Sequence, residues 1–146
     1  MIPIRAVIFD LGGTLVDWPD WNEDIDRRWA LSYNYLARTL PLNADLAAHG
    51  LAPLLDEIVY TSDLPYSKPH PSVFWEVARR IQVEPTSCVM VGDRMVDDIS
   101  GALDAGMGAV WKKNDYPWPK PGGIVPTATI TNLGELLGIL SDWGQA

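Results

Sequence analysis

Apolar residues along this chain are concentrated in short runs that end abruptly at glycines or acidic residues. Such runs are typical of strands that are buried on both faces of a parallel sheet. A shorter run at Ile58–Tyr60 has the same character and predicts a weaker strand. The three stronger predicted strands are Ile4–Phe9, Cys88–Val91 and Gly108–Trp111.

Segments with apolar residues at helical spacing lie between these runs. In Ser72–Ile81, the side chains of Val73, Phe74 and Val77 share one helical face, and Pro71 suits the first turn. Strands that alternate with helices predict an α/β fold, here a doubly wound, mostly parallel, Rossmann-like sheet. The proline-rich segment 111–125 is predicted to be an irregular loop. The other predicted helices are Trp21–Leu40, Ala44–His49, Val96–Ala105 (ended by Gly106) and Leu133–Leu140.

Composition and charge fit one globular domain and argue against several functions. A chain of 146 residues has the length of a single domain, 1–146, which can bury a core without disulfides. The net charge of −8 argues against a basic nucleic-acid-binding face. No apolar run reaches the length of a membrane span, and the start of the chain lacks the pattern of a secretory signal. The lone Cys88 fits a reducing compartment, so we expect a cytoplasmic protein.

The first predicted strand ends at an acidic residue, and two glycines come shortly after it. Asp10 precedes Gly12 and Gly13, so its carboxylate would lie beside free backbone amides that can hold a phosphate. The same residues would also suit an aspartate that caps a turn, with glycines that serve backbone geometry alone.

The second predicted strand also ends at an acid, and two more follow it. Asp93 stands at the strand end, and Asp97 and Asp98 lie in the first turn of the next predicted helix. One of these two aspartates could act only by stabilising the N-terminus of that helix through its macrodipole. If the strands are neighbours, Asp10 and Asp93 converge at the carboxyl edge of the sheet. Their mutual repulsion then implies a hard divalent cation, with Mg²⁺ as the first choice.

A lysine just before a predicted helix is the third candidate. Lys68 is followed by Pro69, His70 and Pro71, and the two prolines fix the backbone just before the helix. This arrangement would make Lys68 a positioned cation, although a lone lysine is more commonly a solvated one. We expect His70 to be structural, because no second metal-ligating side chain accompanies it.

Together these motifs resemble the haloacid dehalogenase (HAD) superfamily of hydrolases. The similarity covers residues 4–16 and about 55–112 and follows the family's motif order. It rests on Asp10-Leu-Gly-Gly-Thr-Leu, Lys68-Pro-His-Pro and the segment from Gly92-Asp93 to Asp98. The resemblance implies a HAD-like core, a transiently phosphorylated aspartate, Mg²⁺, and phosphatase activity on a small phosphorylated metabolite.

The resemblance also implies a role for each matching residue. Asp10 matches the catalytic nucleophile, and Lys68 matches the lysine that neutralises the nucleophile and the phosphate. Leu11, Gly12 and Lys68 would bind the phosphate. The implied metal ligands are Asp10, the Gly12 carbonyl and Asp93, with Asp97 or Asp98 supporting the waters of the metal.

Two departures from the family pattern bear on activity. The phosphatases place a second aspartate two residues after the nucleophile as the general acid, and this chain has Gly12 there. Losing such a group costs about 10²–10⁴-fold in rate. Dehalogenase members carry an aromatic residue at that position, so Gly12 matches neither group. In addition, no strand that ends in the Ser or Thr that would hold the phosphate is predicted between Trp21 and Leu55. The cap is predicted to be reduced to a helix or two at about 19–50.

The sequence therefore leaves three functions open. The first is a slow, Mg²⁺-dependent HAD-type phosphatase. The alternatives are a catalytically inactive HAD-like domain that binds a phosphorylated ligand or a protein partner, and haloacid dehalogenase-type activity. The apolar stripe of the predicted helix Trp21–Leu40 would favour a homodimer, unless that helix folds back over the sheet and keeps the chain monomeric.

Overall fold

The computed structural model describes residues 3–15 and 49–144. The chain divides into two compact units, Trp18–Ile58 and a larger one that combines Met1–Asp17 with Val59–Ala146. Of the smaller unit, the described residues include one 3-10 turn, Ala52–Leu54. The predicted helix 21–40 and most of the predicted cap lie outside the described residues. The predicted helix 44–49 does too, except for His49, which lies in a turn with Gly50.

A parallel sheet of four strands forms the centre of the larger unit. Its order is β1–β2–β3–β4, and every neighbouring pair is parallel, so the predicted parallel sheet is confirmed. Among the described residues, β1 is therefore an edge strand and β2 and β3 are central. The strands are β1 (Ala6–Phe9), β2 (Cys88–Gly92), β3 (Gly108–Lys112) and β4 (Ala128–Ile130).

Three helices complete the described part of this unit. Helix α1 (Pro71–Arg80) begins with a proline in its first turn, as predicted. Helix α2 (Gly101–Asp104) continues a π-helical turn, Met95–Ser100, and is followed by Gly106 with a φ of 84°. A left-handed residue just after a helix is where glycine is favoured. Helix α3 (Gly134–Gly144) follows β4.

The sheet is covered by helices on both faces, which confirms the doubly wound architecture. Along β2, successive side chains point to opposite faces, and Cys88 and Met90 join one core while Val89 and Val91 join the other. Phe74 of α1 and Ile99 of the π-helical turn pack in the first core. Leu136 of α3 packs in the second core. Burial on both faces explains why this strand is an uninterrupted apolar run.

Two strand predictions differ from the structure. Ile58–Tyr60 is not a strand, and a 3-10 turn follows it at Thr61–Asp63, because Thr, Ser and Asp favour turns over continued pairing. The sequence pattern did not predict β4, because this strand has three residues and only Ile130 among them is buried. The predicted loop 111–125 is confirmed as irregular chain from Lys113 onward, because β3 continues to Lys112. None of the described helices is long and apolar enough to cross a membrane.

The strand register brings the carboxyl ends of β1 and β2 side by side. Phe9 pairs with Val91, and the backbone N–H of Asp10 donates to the carbonyl of Val91 at 2.9 Å. The sheet pairing thus continues to the first acidic residue itself. Because ligands bind at the carboxyl ends of such strands, this edge is where a functional site is expected.

Candidate active site

Three aspartates meet at the carboxyl edge of the sheet. Asp10 follows β1, Asp93 follows β2, and Asp98 comes from the π-helical turn after β2. One carboxylate oxygen from each lies within 4.8 Å of the others, so the three could together hold a metal ion. The structure thus brings together residues that are 5 to 88 positions apart in the sequence (98 − 93 and 98 − 10).

Lys68 joins two of these carboxylates. Its Nζ atom donates to Asp10 Oδ1 and to Asp98 Oδ1, each at 2.5 Å. Burial alone would lower the pKa of Lys68, but the nearby charges of Asp98 and Asp10 outweigh it and raise that pKa. The lysine therefore remains a cation between two anions, as expected of a positioned residue rather than a solvated one.

The structure separates the roles of the two acids in the turn after β2. Asp98 is fully buried, and its Oδ2 accepts the backbone N–H of Arg94 at 3.0 Å. Burial raises the pKa of Asp98 to about 6, although the charge of Lys68 opposes the rise. Asp97 instead pairs with Arg94 at 2.6 Å and is not among the three clustered aspartates. Of the two predicted alternatives, the structure brings Asp98 into the cluster.

Asp93 is held differently from Asp10 and Asp98. Its side chain is almost completely buried, and its Oδ2 accepts hydrogen bonds from Asn114 Nδ2 at 2.7 Å and Trp118 Nε1 at 2.8 Å. Its backbone carbonyl accepts the indole N–H of Trp111 at 3.0 Å. Its Oδ1 is buried without a hydrogen-bond partner. Burial raises the pKa of Asp93, and the bonds from Asn114 and Trp118 oppose that rise.

Asn114, Trp118 and Trp111 were not among the predicted site residues. Trp111 lies in β3, whose strand was predicted, whereas Asn114 and Trp118 come from the loop after it, which was predicted only as irregular chain. A signal was present, because this proline-rich segment also carries three aromatic residues, Trp111, Tyr116 and Trp118. Large aromatic side chains with polar tips are unusual in a loop that serves only as a connection.

Two glycines allow the acidic residues of the cluster to pack closely against the backbone. Gly13 has a φ of 78°, and a Cβ atom there would lie 2.5 Å from Asp93 Oδ2. A Cβ atom on Gly92 would overlap the side chain of Asp98. The carbonyl of Gly13 accepts a hydrogen bond from Lys112 Nζ at 2.9 Å. The backbone must therefore lack side chains here for the three acids to come together.

The remaining predicted site residues lie in the turn after β1. Leu11 and Gly12 are partly buried, and the carbonyl of Leu11 accepts the N–H of Leu15 at 3.0 Å. The phosphate-binding and metal-binding roles that the sequence suggested for these two residues remain predictions.

The donor set and its charge fit a hard divalent cation. Three carboxylates and one ammonium group leave an excess of negative charge when all are ionised, and oxygen ligands are those that Mg²⁺ prefers. The unpaired Oδ1 of Asp93 is an independent indication, because a buried carboxylate oxygen without a partner is costly. Of the three clustered aspartates, Asp10 is the accessible one, because its side chain is 18% exposed.

Comparison with known proteins places these residues in a wider context. Residues 65–116 match the family model described as HAD-hydrolase-like. The glyceraldehyde 3-phosphate phosphatase of Methanopyrus kandleri is 36% identical over 97 residues, which cover 64% of this chain and 41% of that protein. The chain is also 39% identical to the crystal structure of a 2-haloacid dehalogenase from Pseudomonas syringae, with a TM-score of 0.61 over 69% of this chain and 44% of that one.

These matches differ in what they cover. The chain spans less than half the length of the phosphatase and of the dehalogenase. A HAD family hydrolase from Deinococcus radiodurans, whose crystal structure has bound phosphate and sodium, matches over 97% of both chains with a TM-score of 0.71. At 18% identity, that likeness concerns the fold alone.

Proposed function

The chain belongs to the HAD-like hydrolase superfamily, and from this premise we propose that it is a Mg²⁺-dependent phosphohydrolase that uses Asp10 as its nucleophile. One observation carries the proposal. Asp10 is the accessible carboxylate of a buried acidic cluster, and Lys68 holds one of its oxygens at 2.5 Å. The substrate would be a small phosphorylated compound.

The reaction we propose has two steps. In the first, a carboxylate oxygen of Asp10 attacks phosphorus, the bond from phosphorus to the ester oxygen breaks, and the alcohol leaves as its alkoxide, which takes a proton from water. In the second, water attacks the phosphorus of the aspartyl phosphate, which releases inorganic phosphate and a proton and restores Asp10. Lys68 would neutralise charge on the attacking carboxylate and on the phosphoryl oxygens.

The metal would be held by Asp10, Asp93 and the Gly12 carbonyl, with Asp98 supporting its waters. When bound, Mg²⁺ would add positive charge that stabilises the phosphoryl oxygens in the transition state. Leu11 and Gly12 would offer backbone amides to the phosphate. We leave Asp97 out of this set, because its side chain is engaged by Arg94.

Gly12 determines which substrates would turn over. A glycine cannot protonate an alkoxide or activate water, so esters of poorly acidic alcohols would react slowly. An ester such as p-nitrophenyl phosphate has a leaving group that is stable without a proton. We therefore expect it to react faster than alkyl phosphates do.

A second candidate function, dehalogenation, is favoured by the 39% identity to the Pseudomonas syringae 2-haloacid dehalogenase. In that reaction, Asp10 would attack the carbon that bears the halogen, halide would leave, and water would then hydrolyse the ester at the carboxyl carbon of Asp10. Isotopic oxygen from water would therefore enter Asp10 in dehalogenation, whereas it would enter the released phosphate in phosphate hydrolysis.

The test compares wild type with Asp10→Asn in phosphate release from a panel of phosphate esters, with and without Mg²⁺. Asp142→Asn is a matched control, because Asp142 is an exposed aspartate on α3. We expect Mg²⁺-dependent phosphate release in wild type and Asp142→Asn, and its loss in Asp10→Asn. Equal release from wild type and Asp10→Asn would overturn the proposal, and halide release from 2-haloacids without phosphate release would favour the second candidate.

A further inference from the structure

The two carboxylate oxygens of Asp93 have different surroundings. Oδ2 accepts two hydrogen bonds, from Asn114 and Trp118, and Oδ1 accepts none although it is buried. Both donors belong to residues 113–120, which we call the aromatic loop. They lie 21 and 25 positions from Asp93 in the sequence, so their contact with it depends on how this loop folds back over the strand ends.

The aromatic loop is itself held in a defined conformation. The side-chain carbonyl of Asn114 accepts the backbone N–H of Tyr116 at 3.2 Å, which leaves its amide nitrogen free to donate to Asp93. The backbone N–H of Trp118 donates to the carbonyl of Tyr116 at 2.8 Å. The guanidinium carbon of Arg94 lies 4.6 Å from the centre of the Trp118 ring, a cation–π contact.

The chemistry of the two donors is as informative as their positions. Both are neutral, so they orient Asp93 without supplying the positive charge that Lys68 supplies to Asp10 and Asp98. Neutral donors on one oxygen do not cancel the negative charge of the carboxylate, so that charge remains available to bind a cation. Neutral or carboxylate partners that orient a metal ligand in this way commonly contribute to metal affinity.

We propose that Asn114 and Trp118 are positioning residues that fix the carboxylate of Asp93, so that Oδ1 is presented to a divalent cation. This inference rests on the proposed function, because it concerns the metal of that same site. The aromatic loop thus serves the site through Asp93. Without these two bonds, the carboxylate could rotate and pair its free oxygen within the protein.

The test is a calorimetric titration of the full chain with Mg²⁺ alone. Trp118→Phe removes the indole donor and keeps an aromatic ring, and Asn114→Ala removes the amide donor. We expect each change to weaken Mg²⁺ binding about 10–100-fold. Trp75→Phe is the matched control, because it also removes an indole that donates a hydrogen bond, here to the Ala105 carbonyl at 3.1 Å. Trp75 lies on α1 and makes no such bond to Asp93. Trp75→Phe should leave Mg²⁺ affinity unchanged.

A spectroscopic readout separates positioning from a merely structural role. In a proton–nitrogen correlation spectrum, the indole signal of Trp118 is identified by its disappearance in Trp118→Phe, and that of Trp75 by Trp75→Phe. Because Mg²⁺ withdraws charge from the carboxylate that accepts this bond, the Trp118 signal should shift as Mg²⁺ binds. The Trp75 signal should stay in place.

The outcomes distinguish this inference from the proposed function. If wild type binds Mg²⁺ and both loop variants bind it equally well with no shift of the Trp118 signal, the positioning role is wrong and the proposed function stands. If wild type binds no Mg²⁺, the metal dependence of the proposed function fails, and this inference fails with it. Should Trp118→Phe not fold, the Mg²⁺ affinity of Asn114→Ala, compared with those of wild type and Trp75→Phe, still decides the question.

Discussion

The turns that follow β1 and β2 both place an aspartate at the carboxyl edge of the sheet, but they hold it in opposite ways. Asp10 keeps 18% of its side chain exposed and is held by a cation, Lys68. Asp93 is 2% exposed and is held by two neutral donors from the aromatic loop. The strands before them are register partners, so the difference arises after the strands end.

This difference suggests a division of labour. A carboxylate that reacts with a substrate must remain accessible, and a fixed ammonium group beside it can neutralise the incoming phosphate. A carboxylate that only binds a cation can be buried, provided that its partners leave its charge available. The two turns therefore combine similar sequence patterns with different chemical environments.

The largest expected effect comes from changing the turn after β1. Gly12→Asp would place an acid two residues after the nucleophile, where the phosphatases of the superfamily have one. We expect hydrolysis of alkyl phosphates to increase by about 10²–10⁴-fold, because the leaving alcohol then receives a proton. Hydrolysis of p-nitrophenyl phosphate should increase much less. An equal increase for both esters would mean that the new carboxylate does not act as an acid.

The turn after β2 should control stabilisation by the metal. A ligand that binds only the native state adds about 2.7 kcal/mol to the free energy of unfolding at a hundredfold excess over its dissociation constant. Mg²⁺ should therefore raise the melting temperature of wild type, and Asp93→Asn should abolish the increase. Calorimetric scans with and without Mg²⁺ measure this, and an identical increase in the variant would show that Asp93 is not a ligand.

The close packing of Asp98 against the end of β2 can be tested by adding one methyl group. In Gly92→Ala the new Cβ atom would overlap the side chain of Asp98, whereas in Gly122→Ala it would meet no atom within 4 Å. We expect the first change to lower the free energy of unfolding by about 1–3 kcal/mol, the usual cost of overpacking. The second change should be neutral. Urea denaturation that fails to separate the two variants would contradict this packing.

The smallest expected effect concerns an ion pair outside both turns. Hydrogen bonds from Arg79 and then Arg80 lower the pKa of Glu76 to about 2. A carboxylate whose pKa is depressed in the folded state stabilises the protein at pH values above its ordinary pKa. That contribution is lost as the pH falls through the depressed pKa. Glu76→Gln should thus slightly lower the melting temperature at neutral pH, and this difference should vanish as the pH falls below about 2. Because the pair is exposed, we expect the loss to be small.

The sequence was sufficient to predict the strands that pack against helices on both faces. β1, β2 and β3 contain nearly uninterrupted apolar runs because helices cover both sides of the sheet. Among the described residues, β4 lies at the other edge of the sheet and pairs with β3 alone. Its single buried residue, Ile130, left no such run. The apolar run at Ile58–Tyr60 was misleading, since apolarity over three residues does not provide a pairing partner.

The acidic cluster could be predicted to the extent that it depends on strand ends. Asp10 and Asp93 each stand directly after a strand, and parallel pairing alone brings them to one edge. The sequence could not choose between Asp97 and Asp98, because both lie in the same first turn, and side-chain packing decides which one points inward. Asn114 and Trp118 could not be placed, because an irregular loop has no periodicity from which a contact can be inferred.

The central claim, that Asp10 accepts a phosphoryl group, is tested most directly by trapping the intermediate. Because Gly12 cannot activate water, the aspartyl phosphate formed from p-nitrophenyl phosphate and Mg²⁺ should accumulate before it is hydrolysed. Acid quenching followed by borohydride reduction converts such an acyl phosphate to homoserine, which peptide mass spectrometry locates. We predict homoserine at position 10 and unmodified Asp93 and Asp98. An unmodified Asp10, or homoserine at another aspartate, would contradict it.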